Sequence, residues 1–226
     1  MNEDFEFPIL TVDGVIFQLV NDELCVLLTQ RAFEPFLGAW ALPGMYISKD
    51  QTSREALELT LIQKTGISTS QIELIEQPYA FDAPQRDPRG YAVTIAYIGL
   101  ARDVMPGVHR GADDKIQNPH FTSLAKLPKL AYDHMSIVQF AHNRLKILAA
   151  SSNVLAGLLP RTFTLLQLQS AYEAVLSRKL DKRNFRKKIQ SLGLIETTGE
   201  SSREGAHRPA QVYRFCNGST LRHHTI

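Results

Sequence analysis

Cysteine is almost absent from this 226-residue chain: Cys25 sits in an apolar run and Cys216 lies near the end. Two cysteines so placed supply neither a disulfide framework nor a zinc site. No apolar run approaches the roughly 18 residues of a membrane-spanning helix, so no membrane partner is expected. The opening Met1-Asn-Glu-Asp-Phe-Glu is acidic where a secretory leader would be basic and then apolar. Internal repeats and low-complexity tracts are also missing. The composition is 44% hydrophobic and 21% charged, which excludes a disordered chain and a coiled coil. What remains is a cytoplasmic protein long enough for two domains.

The net charge of +2 conceals an asymmetry. Residues 151–226 hold 12 Lys/Arg against 5 Asp/Glu, whereas residues 1–150 hold 13 against 18. An acidic front half, 1–150, and a basic back half, 151–226, therefore have different partners, and only the back suits a polyanion. In the front half Ile9–Val20 and Leu24–Leu28 are β-rich around an Asn21-Asp22 turn, and Ile72–Ile75 and Tyr91–Leu100 are further strands. Thr52 with Glu55 makes a capping box that opens a helix, which Gly66 stops. Tyr132–Ala150 reads as an amphipathic helix with Ile137, Phe140, Leu145 and Leu148 inward, and Asp133 is its expected N-cap. Ala149–Asn153 marks the linker.

Leu42-Pro-Gly44, followed by a capped helix ending Lys64-Thr-Gly66-Ile67, resembles a Nudix box, whose helix gathers glutamates that hold Mg²⁺ against a diphosphate. Aligned on Gly66-Ile67, the box glycine falls on Met45 and the acidic positions on Gln51, Thr60, Gln63 and Lys64. A neutral amide is a poor magnesium ligand and an ammonium repels the ion. Arg54-Glu55-Ala56-Leu57-Glu58 imitates part of the box, but its arginine comes too early and no glycine follows at the right distance. Placing the box glycine on Gly44 brings Asp50 into the first acidic slot but leaves Ile62 and Gln63 in the paired one. Neither register yields a catalytic or a metal-binding set. Two readings of Gln63 and Lys64 stand: solvated helix residues, or, at Lys64, a charge that replaces the metal beside a diphosphate. Arg31, the Phe33–Trp40 segment with Phe36 and Trp40, and the loop Arg86-Asp-Pro-Arg89 offer guanidinium forks and aromatic faces for a nucleotide.

In the back half, Thr164 and Gln167 form a second capping box, opening a helix whose Leu165, Leu168, Tyr172 and Val175 share a face. The next helix starts at the N-cap Asp181 and stops at Gly193. Phe185, Ile189 and Leu192 fall on one side of it, while Arg183, Arg186, Lys187 and Gln190 spread over the other, with Lys182 and Asn184 beside them. Such a face suits a major groove, where arginines read guanine, amides read adenine and lysines meet phosphates. Leu194–Thr198 and Gln211–Phe215 read as a hairpin whose loop, with Arg203, His207 and Arg208, is a wing for a DNA backbone or minor groove. Helix, turn, helix and hairpin make the pattern of a winged helix. An RNA-binding reading is disfavoured because the basic helix lacks stacking aromatics interleaved with its charges.

Together with Phe36-Leu-Gly-Ala-Trp-Ala-Leu-Pro-Gly44, Arg86-Asp-Pro-Arg-Gly90, Leu130-Ala-Tyr-Asp-His134, Leu159-Pro-Arg-Thr-Phe-Thr164, Asp181-Lys-Arg-Asn-Phe-Arg186 and Arg208-Pro-Ala-Gln-Val-Tyr-Arg-Phe215, these features resemble the Nudix-related transcriptional regulator family, NrtR, over essentially the whole chain. The resemblance implies an α/β fold: a Nudix-like α/β/α sandwich with a mixed sheet, followed by a C-terminal winged helix-turn-helix domain. It also implies a homodimeric repressor of NAD metabolism genes that binds palindromic double-stranded operator DNA and is released by ADP-ribose or a related nucleotide. No cofactor would be required. The competing expectation is a Mg²⁺-dependent Nudix pyrophosphatase acting on ADP-ribose, with an accessory basic domain.

Overall fold

The computed structural model describes residues 7–107, 118–202 and 209–216. The strands are β1 (Ile9–Val20), β2 (Glu23–Gln30), β3 (Trp40–Ala41), β4 (Gly44–Tyr46), β5 (Ile72–Phe81), β6 (Ala92–Ala101) and β7 (His120–Ser123). Helix α1 (Ser53–Thr65) lies between β4 and β5, and α2 (His134–Ser151) follows β7. Among the described residues these strands form one mixed sheet in the order β3-β2-β1-β6-β5, with β4 also paired to β1 and β7 to β2. The β1–β6 pair is parallel and the others are antiparallel.

Alternation along β1 sets the layers, because successive side chains point to opposite faces. Val12 and Ile16 pack with Leu57 and Leu61 of α1. Val15 and Phe17 join Ile137, Ala141 and Leu145 of α2 on the other face. The result is an α/β/α sandwich. Both ends of α1 follow local sequence: Thr52 and Glu55 complete the capping box, and Gly66 at φ 71° closes the helix. The Asn21-Asp22 turn has φ of 50° and 61°, a left-handed pair suited to a tight hairpin.

Several expectations are corrected. Strand β5 runs on to Phe81, and β3 and β4 lie in a stretch that reads locally as loop. Phe140 is 39% exposed on α2 and meets Tyr79 and Phe81 of the edge strand β5 at ring-centroid distances of 5.1 and 5.6 Å. Helical periodicity placed it inward, but the sheet ends there. Asp133 provides no side-chain cap to α2, because its carboxylate is taken by Arg86.

After α2 the chain passes through the buried turn Val154–Gly157 into β8 (Phe163–Thr164), α3 (Leu165–Leu176), α4 (Lys182–Ser191), β9 (Ile195–Ser202) and β10 (Ala210–Phe215). The strands pair in the order β8-β10-β9, giving a winged helix. The second capping box, Thr164 with Gln167, is present. Helix α3 packs against α2 and β2. One apolar cluster runs from β1 and β6 through α2 to Leu168, Tyr172, Phe185 and Ile189. Ser152 and Asn153, in the segment between α2 and that turn, are buried. Leu145 lies at the middle of this cluster and has no exposed surface. Leu145→Ala is expected to cost about 2–5 kcal/mol. Calorimetry should show a single endotherm moving to lower temperature; a second endotherm left in place would mean that the cluster does not couple the two parts.

Candidate functional site

A cavity of about 390 Å³ opens beside the β1–β4 pair and is lined by Asp13, Arg31, Phe33, Glu34, Gly44, Tyr46, Lys64, Arg86, Asp87, Arg89, Tyr132 and His134, among others. Its floor is a buried polar network centred on Asp13. The Asp13 carboxylate accepts a hydrogen bond from Thr94 Oγ1 at 2.7 Å, and Arg86 Nη2 lies 3.9 Å from it. His134 Nε2 stands 3.6 Å from Asp13 Oδ1. The other imidazole nitrogen, Nδ1, accepts the Leu42 backbone N–H at 2.9 Å, so the proton resides on Nε2. Gly44 is required beside this network, since a Cβ there would collide with the Asp13 carboxylate. Asp13 interrupts an apolar strand, Thr-Val-Asp-Gly-Val-Ile, and that interruption was the one local sign of it.

The cations divide into two kinds. Arg86 is buried and bidentate to Asp133, at 3.0 and 2.8 Å. Arg89 is held by Asp87 at 2.5 Å, donates to the Tyr46 hydroxyl, and lies over the Tyr46 ring. By contrast, among the described residues the Arg31 guanidinium donates to the carbonyls of Pro35, at 2.7 Å, and Phe33, at 3.3 Å, and to no other group. Lys64 Nζ donates to the Gly44 carbonyl. Neither Arg31 nor Lys64 has a carboxylate within ion-pair distance among the described residues. Burial pushes the Lys64 ammonium below the usual lysine range, Asp13 opposes that shift, and Arg31 adds to it.

Two sequence expectations are placed elsewhere. Phe36 is 41% exposed and packs edge-on to Tyr132 outside the cavity lining. Trp40 packs edge-on to His120 at 4.4 Å, and its carbonyl accepts the Ala131 N–H at 2.8 Å. The 33–40 loop folds back through the bonds Arg31 N–H to Ala39 and Gly38 N–H to Arg31, which turns these rings away from the cavity. Among the acidic positions of the box only Lys64 reaches it, beside Met45 at the position of the box glycine. Gln63 is exposed, Thr60 is buried and donates back to Ala56 at 2.7 Å, and Gln51 accepts from Ser48. The look-alike Arg54 and Glu58 form an exposed pair along the helix.

The second candidate surface is α4. Asp181 caps it by accepting the Asn184 N–H at 2.8 Å. Phe185 and Ile189 are buried, Phe185 edge-on to Tyr172 at 5.5 Å. Lys182, Arg183, Asn184, Arg186, Lys187 and Gln190 are all exposed, as is Lys188, and none of the cations has an ion-pair partner among the described residues. Arg203, His207 and Arg208 lie outside the described residues.

Residues 155–215 match the model of the NrtR DNA-binding winged helix domain. Over 219 residues, 94% of this chain and 84% of the relative, the sequence is 33% identical to the ADPR responsive transcriptional repressor NtrR of Acinetobacter baylyi. The chain belongs to the NrtR family. Shewanella oneidensis NrtR, solved with a 27mer DNA, superposes on it with a TM-score of 0.75 at 32% identity, covering 91% of this chain and 93% of that one. The Nudix domain of that protein, solved with ADP ribose, matches at a TM-score of 0.56 and 31% identity over 64% of this chain and 93% of that one. An ADP-ribose pyrophosphatase of Methanocaldococcus jannaschii is 33% identical over 132 residues, 58% of this chain and 72% of that enzyme.

Burial lowers the affinity of His134 for a proton, outweighing the attraction of Asp13 and Asp133. Its stabilising hydrogen bond from Leu42 needs the neutral ring. The folded form therefore binds this proton less readily than the unfolded chain does. Stability is full above the ordinary histidine range and falls as pH drops below about 6.5, by up to ~1.4 kcal/mol per pH unit. His142, lowered mainly by burial, acts in the same direction. Denaturant unfolding at pH 7.5 and 5.5 should show a smaller loss in His134→Gln than in the wild type; equal losses would remove His134 from this role.

Proposed function

We propose that this protein is an ADP-ribose-responsive transcriptional repressor whose Nudix-like domain, residues 1–150, senses the nucleotide and whose winged helix domain, residues 151–226, holds operator DNA. The observation that carries this reading is the pair of cations, Arg31 and Lys64, that line one cavity and, among the described residues, hydrogen-bond only to carbonyls. A diphosphate supplies the charge they lack. Arg86 then acts from beneath, holding Asp133 in place, and Arg89 is shared between Asp87 and the ligand. Phe36 and Trp40 shape the loop that carries Arg31.

The donor set does not fit a hydrolytic magnesium site. The buried carboxylates Asp13 and Asp87 are already engaged, by Thr94, Arg86 and His134 and by Arg89 respectively. Lys64 stands where a glutamate would be. Among the described residues no group of three His, Cys, Asp or Glu side chains is arranged to hold a metal ion. The kinship with an ADP-ribose pyrophosphatase favours the hydrolase as the second reading, and Mg²⁺-dependent turnover of ADP-ribose would establish it. On the present reading the nucleotide is bound and released intact.

The exposed face of α4 enters the major groove, with Arg183, Asn184, Arg186 and Gln190 toward base edges and Lys182 and Lys187 toward phosphates; Arg203, His207 and Arg208 would reach the backbone. A homodimer would place two such helices on a palindrome with half-sites about 10 bp or a multiple apart. NAD metabolism genes are the expected targets.

Fluorescence anisotropy of a preformed complex with a candidate palindromic operator tests the whole scheme. ADP-ribose should release the DNA without product appearing in the presence of Mg²⁺, and turnover with no effect on DNA would refute it. Lys64→Glu should weaken ADP-ribose binding far more than Lys64→Gln, and equal effects would remove the charge argument. For DNA, Arg183→Ala should relax specificity, while Lys187→Ala should weaken all sequences alike and reduce a salt slope of about −0.9 per phosphate contact. The reverse pattern would mean that a different face of α4 meets the bases.

A further inference from the structure

Tyr132 is anomalous in three independent ways. Its backbone is left-handed, at φ 51°, a conformation that a bulky residue rarely adopts and that functional sites tend to retain. Its ring lies under two guanidiniums, with Arg31 at 4.7 Å and Arg89 at 5.7 Å from the ring centroid. Finally, its hydroxyl is buried, yet it has no hydrogen-bond partner among the described residues. Buried hydroxyls nearly always have a partner, so an unsatisfied one at the wall of a cavity is a group prepared for something that binds there. In the sequence Tyr132 appears only inside the stretch Leu130-Ala-Tyr-Asp-His134, with nothing local to mark its hydroxyl.

We infer that Tyr132 is an effector-contact residue, whose hydroxyl donates a hydrogen bond to a phosphate or ribose oxygen of the bound nucleotide. This rests on the reading of the cavity as a nucleotide diphosphate site. Burial raises the phenol further above its ordinary range, outweighing Arg31 and Arg89, so the group stays protonated and acts as a donor. In this structure the hydroxyl is covered. Arg31 and Arg89 lie over the same ring, and the contact requires that an anionic ligand draw them toward phosphate and open a way to the hydroxyl. The contact has a direct route to the rest of the molecule. Asp133, which grips Arg86, and His134, which accepts from Leu42, are the next two residues and begin α2. Ligand bound to Tyr132 therefore acts on the entry of the helix against which α3 packs.

Tyr132→Phe separates the hydroxyl from the ring, which stays available to Phe36 and the guanidiniums. Isothermal titration of ADP-ribose into full-length wild type and variant, with melting curves of both without ligand, decides the matter. The variant should bind about tenfold more weakly, the loss expected for one hydrogen bond to a charged or strongly polar oxygen. Without ligand it should melt no lower than the wild type, because it loses an unpaired group. Equal affinities in a wild type that does bind ADP-ribose would overturn the role of Tyr132 alone. A lower melting temperature without ligand would mean that the hydroxyl is bonded within the protein, and would overturn it as well. Failure of the wild type to bind ADP-ribose would overturn this inference together with the nucleotide reading of the cavity.

Discussion

A buried carboxylate on a central strand is the constraint around which the cavity is arranged. Asp13 is 5% exposed, and a charge so placed is tolerated only when neighbours replace water. Thr94 donates from the adjacent strand β6, Arg86 approaches from the loop after β5, and His134 turns Nε2 toward it from α2. Each group arrives from a different part of the chain, so satisfying Asp13 fixes three elements at once. The same carboxylate occupies the space in front of Gly44, whose carbonyl then orients Lys64. Removing one member would leave a buried charge or donor unpaired, which costs more than the bond itself contributes.

Helix α2 carries that arrangement toward the winged helix. Its first residue lines the cavity, and its body lies in the apolar cluster shared with α3 and α4. The contact is directional as well as apolar, since His142 Nε2 bonds the Val175 carbonyl near the end of α3 at 2.8 Å. Closely packed interfaces of this kind move between discrete arrangements and do not deform smoothly. A ligand that prefers one position of the α2 entry thereby prefers one placement of α3, and of the basic α4 packed against it. On the proposed reading, DNA selects the other placement, and the two ligands oppose each other through a single rigid element.

What the sequence reveals divides by range. The two capping boxes, the Asn21-Asp22 turn and the two faces of α4 are local in origin, and each was legible from residues a few positions apart. The sandwich was legible through motif resemblance. The floor of the cavity was not, because Asp13, Thr94, Arg86 and His134 come together only through strand pairing and loop closure. Phe140 shows the same limit: its period is correct for an inward position, but the sheet it would face ends at β5. Arg86 and Arg89 read in the sequence as guanidinium forks for a ligand, but the structure ties them to Asp133 and Asp87. Arg31 and Lys64, which have no carboxylate partner among the described residues, could be told apart from them only in three dimensions.

On the proposed reading, that difference also explains how a sensor arises from a hydrolase-like frame. A metal-based pocket binds diphosphate through an ion that also promotes attack on phosphorus. Lys64 provides a positive charge that belongs to the chain, on a side chain already stripped of most of its water during folding. Folding therefore bears the desolvation of this cation, and an arriving anion meets a donor held in place by the Gly44 carbonyl. Such preorganisation strengthens attraction without adding a Lewis acid. On the proposed reading, a ligand held in this way is not consumed, and its preference for one position of the α2 entry is available to shift the helix.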